Sequence, residues 1–128
     1  MDAKQPDSTA DSTADTAATP TIARIWRGRT RRADADAYLP YLLEAGIKPL
    51  QEKALGVQLF REDRGDETEF ITISYWESIP AMTRFTGGDP TRIHHLERDA
   101  EFLIELPRSI QVLEIVAASG RRIPGVAG

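Results

Sequence analysis

The segment Thr68–Glu77, "TEFITISYWE", constrains the fold more than any other stretch of the chain. β-Branched and aromatic residues dominate it, so it reads as a strand. Successive side chains leave a strand on opposite faces. Phe70 and Trp76 therefore share one face, while Ile71, Ile73 and Tyr75 share the other. Both faces are apolar and both need cover, which places the strand inside a sheet. The polar "RGDE" before it is a hairpin turn, and "GVQLFRED" is the partner strand.

The other elements fall around this hairpin. "TIARIWRGR" (Thr21 to Arg29) is a first strand. Asp34 then caps a helix in which Tyr38, Leu39, Leu42, Leu43 and Ile47 recur at helical spacing. Gly46 and Pro49 predict an end or a kink there. Ser78 caps a short helix carrying Ala81, Met82 and Phe85, and "TGGDP" interrupts the chain. Ile93, Leu96, Ala100 and Leu103 predict a longer helix from about Thr91 to Leu106, stopped by Pro107. "SIQVLEIV" (Ser109 to Val116) is the last strand.

The resulting order, β-α-β-β-α-β, is an α+β ferredoxin-like protomer with a four-stranded antiparallel sheet and its helices on one side. The bare sheet face then calls for a second copy, giving a homodimer through the sheet faces. Residues 1–20, with their near-repeat of Asp, Ser, Thr and Ala, are expected to be a disordered acidic tail. The folded domain spans 21–117, and the Gly-rich segment 118–128 is a loose C-terminal tail.

Composition narrows the function classes. The formal net charge of −4 gives no general support for nucleic-acid binding. Basic residues do cluster at Arg24, Arg27, Arg29, Arg31 and Arg32, and again at Arg121–Arg122. With no cysteine, disulfides, thiol catalysis and cysteine-held metals are excluded. No apolar run approaches the roughly 18 residues of a membrane span, and the amino terminus lacks the pattern of a secretory signal. The expectation is a cytoplasmic protein with no membrane partner.

The strand ending in "YWES", followed by "IPAMTRF" and then "RIHHL", resembles the antibiotic biosynthesis monooxygenase-like family over about Thr21 to Val116. The resemblance implies a dimeric α/β barrel with a pocket between sheet and helices in each protomer. It also implies a cofactor-independent monooxygenase, or a related tailoring enzyme, acting on a polycyclic or phenolic small molecule with neither metal nor flavin. In those oxygenases an Asn lies four residues before the Trp; this chain has Thr72 there and so has no side-chain amide. The haem-degrading branch needs a His about ten residues after the Trp, where this chain has Thr86. A non-catalytic small-molecule-binding dimer of the same fold is the alternative reading.

Trp76 shares a strand face with Thr72 and Ser74, which marks a pocket wall able to stack on a flat aromatic ligand. Adjacent helical residues diverge by about 100°, so His94 and His95 cannot act on one atom together. His95 falls in line with Asp99, which would orient its ring, so His95 is the expected general base and His94 the pocket lip. Arg24 and Trp26 share parity on the first strand, with Arg24 placed to bind a carboxylate or enolate. Met82, Tyr38 and Tyr41 are candidates for the opposite wall. The purely structural alternatives are a core indole at Trp76, surface imidazoles, a sheet-edge salt bridge at Arg24 and core packing at Met82.

Overall fold

The computed structural model describes residues 19–119; the expectations for most of the N-terminal tail and for residues 120–128 lie outside them. Four strands form one antiparallel sheet: β1 (Ile22–Arg31), β2 (Gly56–Arg64), β3 (Glu67–Trp76) and β4 (Gln111–Glu114). Their spatial order is β2-β3-β1-β4, as a ferredoxin-like βαββαβ chain requires. The β2–β3 hairpin turns through Gly65, whose φ of 60° lies where a side chain is disfavoured. β3 pairs with all ten residues of β1, whereas β4 pairs only with Ile22–Ile25. The last strand is therefore shorter than the sequence pattern predicts.

The helical layer covers one sheet face. Helix α1 (Arg32–Leu42) passes into a π-helical turn (Leu43–Ile47) and then α2 (Lys48–Gln51). The predicted break at Gly46 and Pro49 is thus realised as a change of helical winding, and the chain continues to Gln51. Proline withholds the amide hydrogen that an α-helical turn would need there, and the wider turn absorbs the mismatch. Ala35, Tyr38 and Leu42 face the sheet and are buried with Phe70, Trp76 and Met82 in one core. Helix α3 (Ile79–Thr86) is capped by Ser78, whose hydroxyl accepts from the Ala81 amide at 3.2 Å.

The predicted helix over Thr91–Leu106 is corrected: only α4 (Asp99–Phe102) is helical. Residues 87–98 instead form an irregular strap across the helical layer. Asp99 gives the physical reason. Its Oδ2 accepts from the Leu96 amide at 2.9 Å, a local side-chain bond that starts a turn at Leu96, so winding begins late. Leu96 still packs against the core, so the apolar spacing reports burial correctly and winding incorrectly.

β3 alternates as expected, with every second residue from Thr68 to Trp76 buried against the helices. The opposite sheet face carries Ile25, Phe60, Ile71, Ile73, Tyr75 and Leu113 and has no helix on it; Phe60 and Leu113 are exposed. Among the described residues, no helix is long and apolar enough to cross a membrane.

Candidate functional site

The β1–β3 register builds the floor of a site on the helix-covered face. Arg24 lies opposite Ser74, and Trp26 lies opposite Thr72, two positions along on the same face. Above this four-residue patch, the π-helical turn and the strap enclose a cavity of about 280 Å³. Ala45, Gly46 and Ile47 of the π-turn all line it, as do Phe85, His94 and Leu96. A π-turn exposes a different arc of residues from an α-turn, which suits a helix that must wall a cavity while also packing on a sheet.

Arg24 is the unusual residue here. It is buried, and its guanidinium bonds to no carboxylate among the described residues. Nη2 donates to the carbonyl of Arg92 at 2.6 Å, and Nε donates to that of Pro90 at 3.4 Å. Burial alone lowers its pKa from the ordinary arginine value. Among the described residues, the expected sheet-edge salt bridge is absent. Arg29, of the opposite parity and so on the outer face, behaves differently: it pairs with Glu67 at 2.7 Å. A buried cation balanced only by carbonyl dipoles is costly and stabilises an incoming anion.

His94 sits at the cavity mouth with an exposed ring. Its Nε2 lies 3.2 Å from the Thr86 carbonyl. A carbonyl oxygen only accepts, so Nε2 carries the hydrogen and Nδ1 of the neutral ring is the basic atom. His95 points elsewhere. It lines a shallow depression with Thr91, Ile93 and Glu105, outside the cavity, because the strap is not helical and no i to i+4 relation to Asp99 exists.

Trp76 and Met82 also lie outside the cavity lining. Trp76 is buried against Phe85, with ring centroids 5.4 Å apart, and Met82 is fully buried in the core. The Trp76 indole reaches the site through Ser74: Nε1 donates to Ser74 Oγ at 2.9 Å. That bond uses an acceptor position of the hydroxyl and leaves its hydrogen free to donate. Ser74 and Thr72 thus bring two hydroxyl side chains to the cavity that Arg24 also lines.

Tyr38 and Tyr41 do not wall the cavity. Tyr38 is fully buried and donates to Asp99 Oδ1 at 2.8 Å. Burial, then the Asp99 charge and that hydrogen bond, raise its pKa above the ordinary tyrosine value. Asp99, read from the sequence as a partner for His95, is a buried anchor that fixes the end of the strap and also lines the cavity. The π-turn residues, Leu96, Phe85 and Asp99 are among the site residues that sequence reasoning missed. The paired helix breakers Gly46 and Pro49 were the available signal. Among the described residues, no three His, Asp or Glu side chains gather to hold a metal ion.

Comparison with solved structures brings up a protein from Bacillus cereus described as a "putative antibiotic biosynthesis monooxygenase". The TM-score is 0.58 over 82% of this chain and 100% of that one, at 10% sequence identity. The chain has the antibiotic biosynthesis monooxygenase-like fold. At this identity the likeness concerns the backbone and carries no information on the reaction. No family model matches the sequence, and no curated protein matches it. Within the antibiotic biosynthesis monooxygenase-like fold, the chain brings together Arg24, Trp26, Thr72, Ser74 and His94, and leaves Trp76, Met82 and His95 outside the cavity.

Proposed function

We propose that the cavity binds a compact aromatic anion and oxidises it with molecular oxygen and no resident cofactor. The observation that carries this reading is the buried Arg24, a cation with no carboxylate bonded to it among the described residues, in a mainly apolar chamber whose polar lining is Thr72, Ser74, His94 and Asp99. Such a group stabilises negative charge far more than the same group in water. Nδ1 of His94 removes a proton from an activated C–H of the substrate, and Arg24 with the Ser74 and Thr72 hydroxyls stabilises the enolate. The carbanion forms a C–O bond to oxygen, the peroxide takes a proton, and loss of water leaves a carbonyl. At about 280 Å³ the cavity lies near the small end of ligand sites, which run roughly 300–1,000 Å³. A compact phenolic or fused-ring substrate suits it.

Oxygen uptake on a panel of anthrones and quinols tests the reaction. Turnover that falls at least a hundredfold in His94→Ala and in Arg24→Gln supports it. Wild-type protein that binds these compounds without consuming oxygen favours the second reading, a non-catalytic binding protein. Thr72, in place of an amide, is the observation behind that second reading.

A second copy of the chain covers the outer sheet face in this scheme. The apolar centre formed by Ile25, Phe60, Ile71 and Ile73 supports that pairing. Light scattering should return twice the chain mass of 14.2 kDa. A mass of one chain refutes it.

A further inference from the structure

Resting on the reading of the cavity as an anion site, the hydrogen bonds of Arg24 specify what kind of anion enters. A guanidinium has two forks able to grip a pair of oxygens: a side-on fork of Nε and Nη2, and an end-on fork of Nη1 and Nη2. The strap occupies the side-on fork, with the Pro90 carbonyl on Nε and the Arg92 carbonyl on Nη2. Nη1 bonds to no described residue, and the second hydrogen of Nη2 is likewise unused. Nη1 is also not sealed away. Among the described residues, the one fully buried side-chain polar atom lacking a partner is Thr86 Oγ1. With the strap's carbonyls on Nε and Nη2, Nη1 and one Nη2 hydrogen remain for a ligand, and Arg24 lines the cavity.

We infer that the ligand presents two coplanar oxygens to the end-on fork of Arg24, as an aryl carboxylate or the enolate of a 1,3-dicarbonyl compound does. A single phenolate oxygen can meet both N–H groups only by sharing itself between two bent bonds, a weaker arrangement than two parallel ones. Two parallel N–H···O bonds leave neither unpaired. They also fix the plane of the ligand, which then lies beside Trp26 and Phe85 of the lining. The Phe85 ring is already 6.0 Å from the guanidinium carbon. Lysine in place of Arg24 would keep the charge and lose the fork.

Pentafluorobenzoate and pentafluorophenolate test this directly. Both are single-ring monoanions at neutral pH, and they differ in offering two oxygens or one. Fluorine NMR titration of the full chain should show the benzoate binding at least tenfold more tightly than the phenolate. Arg24→Lys should erase that preference while circular dichroism stays unchanged. Equal affinity for the two anions, with the neutral methyl ester of the benzoate much weaker, overturns the two-oxygen inference and leaves the anion site standing. Equal affinity for all three overturns the anion site itself. The comparison among ligands uses wild-type protein, so it decides the matter even where the variant fails to fold.

Discussion

Replacing Tyr38 with Phe isolates the buried Tyr38–Asp99 bond and has an unusual pH signature. The ring still fills the core among Phe70 and Phe102, so packing changes little. What is lost is a 2.8 Å hydrogen bond to a buried carboxyl group. Bonds of this kind are worth about 2 kcal/mol at neutral pH. Tyr38 has its pKa raised in the folded state, by burial first and then by Asp99. Its stabilising effect is therefore complete below the unfolded tyrosine pKa of about 10 and is lost as pH rises above it. At pH 11 the unfolded phenol is largely ionised, which costs the wild type about 1.4 kcal/mol that Tyr38→Phe does not lose. The stability gap should narrow from about 2 kcal/mol at pH 7 to about 0.6 kcal/mol at pH 11. Urea unfolding followed by tryptophan fluorescence at the two pH values measures it, and the other tyrosines cancel in the difference. A gap that stays constant or widens refutes the reasoning.

Three further perturbations follow from the site. His94→Ala should weaken turnover sharply while His95→Ala leaves it within twofold, since only His94 lines the cavity; steady-state oxygen uptake compares them. Gly28→Ala should cost about 1–3 kcal/mol in thermal or urea unfolding, because a Cβ there would stand 2.8 Å from Cζ2 of Trp26 and displace the ring that lines the cavity. Ser74→Ala strands the buried Trp76 indole N–H, at a cost of about 1–3 kcal/mol. It should also shift the tryptophan emission, whereas a variant with unchanged stability would show that the indole finds another acceptor.

The strands were legible in the sequence because a period of two survives wherever one face is buried and the pairing is continuous. β3 shows this at every position from Thr68 to Trp76. The strap was not legible. Ile93, Leu96, Ala100 and Leu103 repeat as a helix would, yet the Asp99 carboxylate takes the Leu96 amide and Arg24 takes the carbonyls of Pro90 and Arg92. Those partners satisfy the backbone groups that a helix would have paired internally, and they come from residues distant in sequence or from a side chain that sequence spacing treats as neutral. Arg24 and Trp26 were placed on one face from parity alone, and His94 was read only as the pocket lip beside His95. The choice of His95 as the base failed with the helix on which it depended. The π-turn carried a signal in Gly46 and Pro49, but two breakers do not say whether a helix stops or rewinds.

β1 sets the reading frame of the whole molecule. Arg24 and Trp26 point toward the cavity, while Ile25 and Arg27, one residue along, belong to the opposite sheet face. A strand shifted by one residue exchanges its two faces completely. A one-residue slip of β1 would therefore drive Arg24 out of the chamber and set Ile25 in its place, and it would put the Arg24 charge into the apolar outer patch. Point substitutions in this strand can be graded in their effects. Length changes cannot, and β1 should be the segment of this chain least tolerant of them.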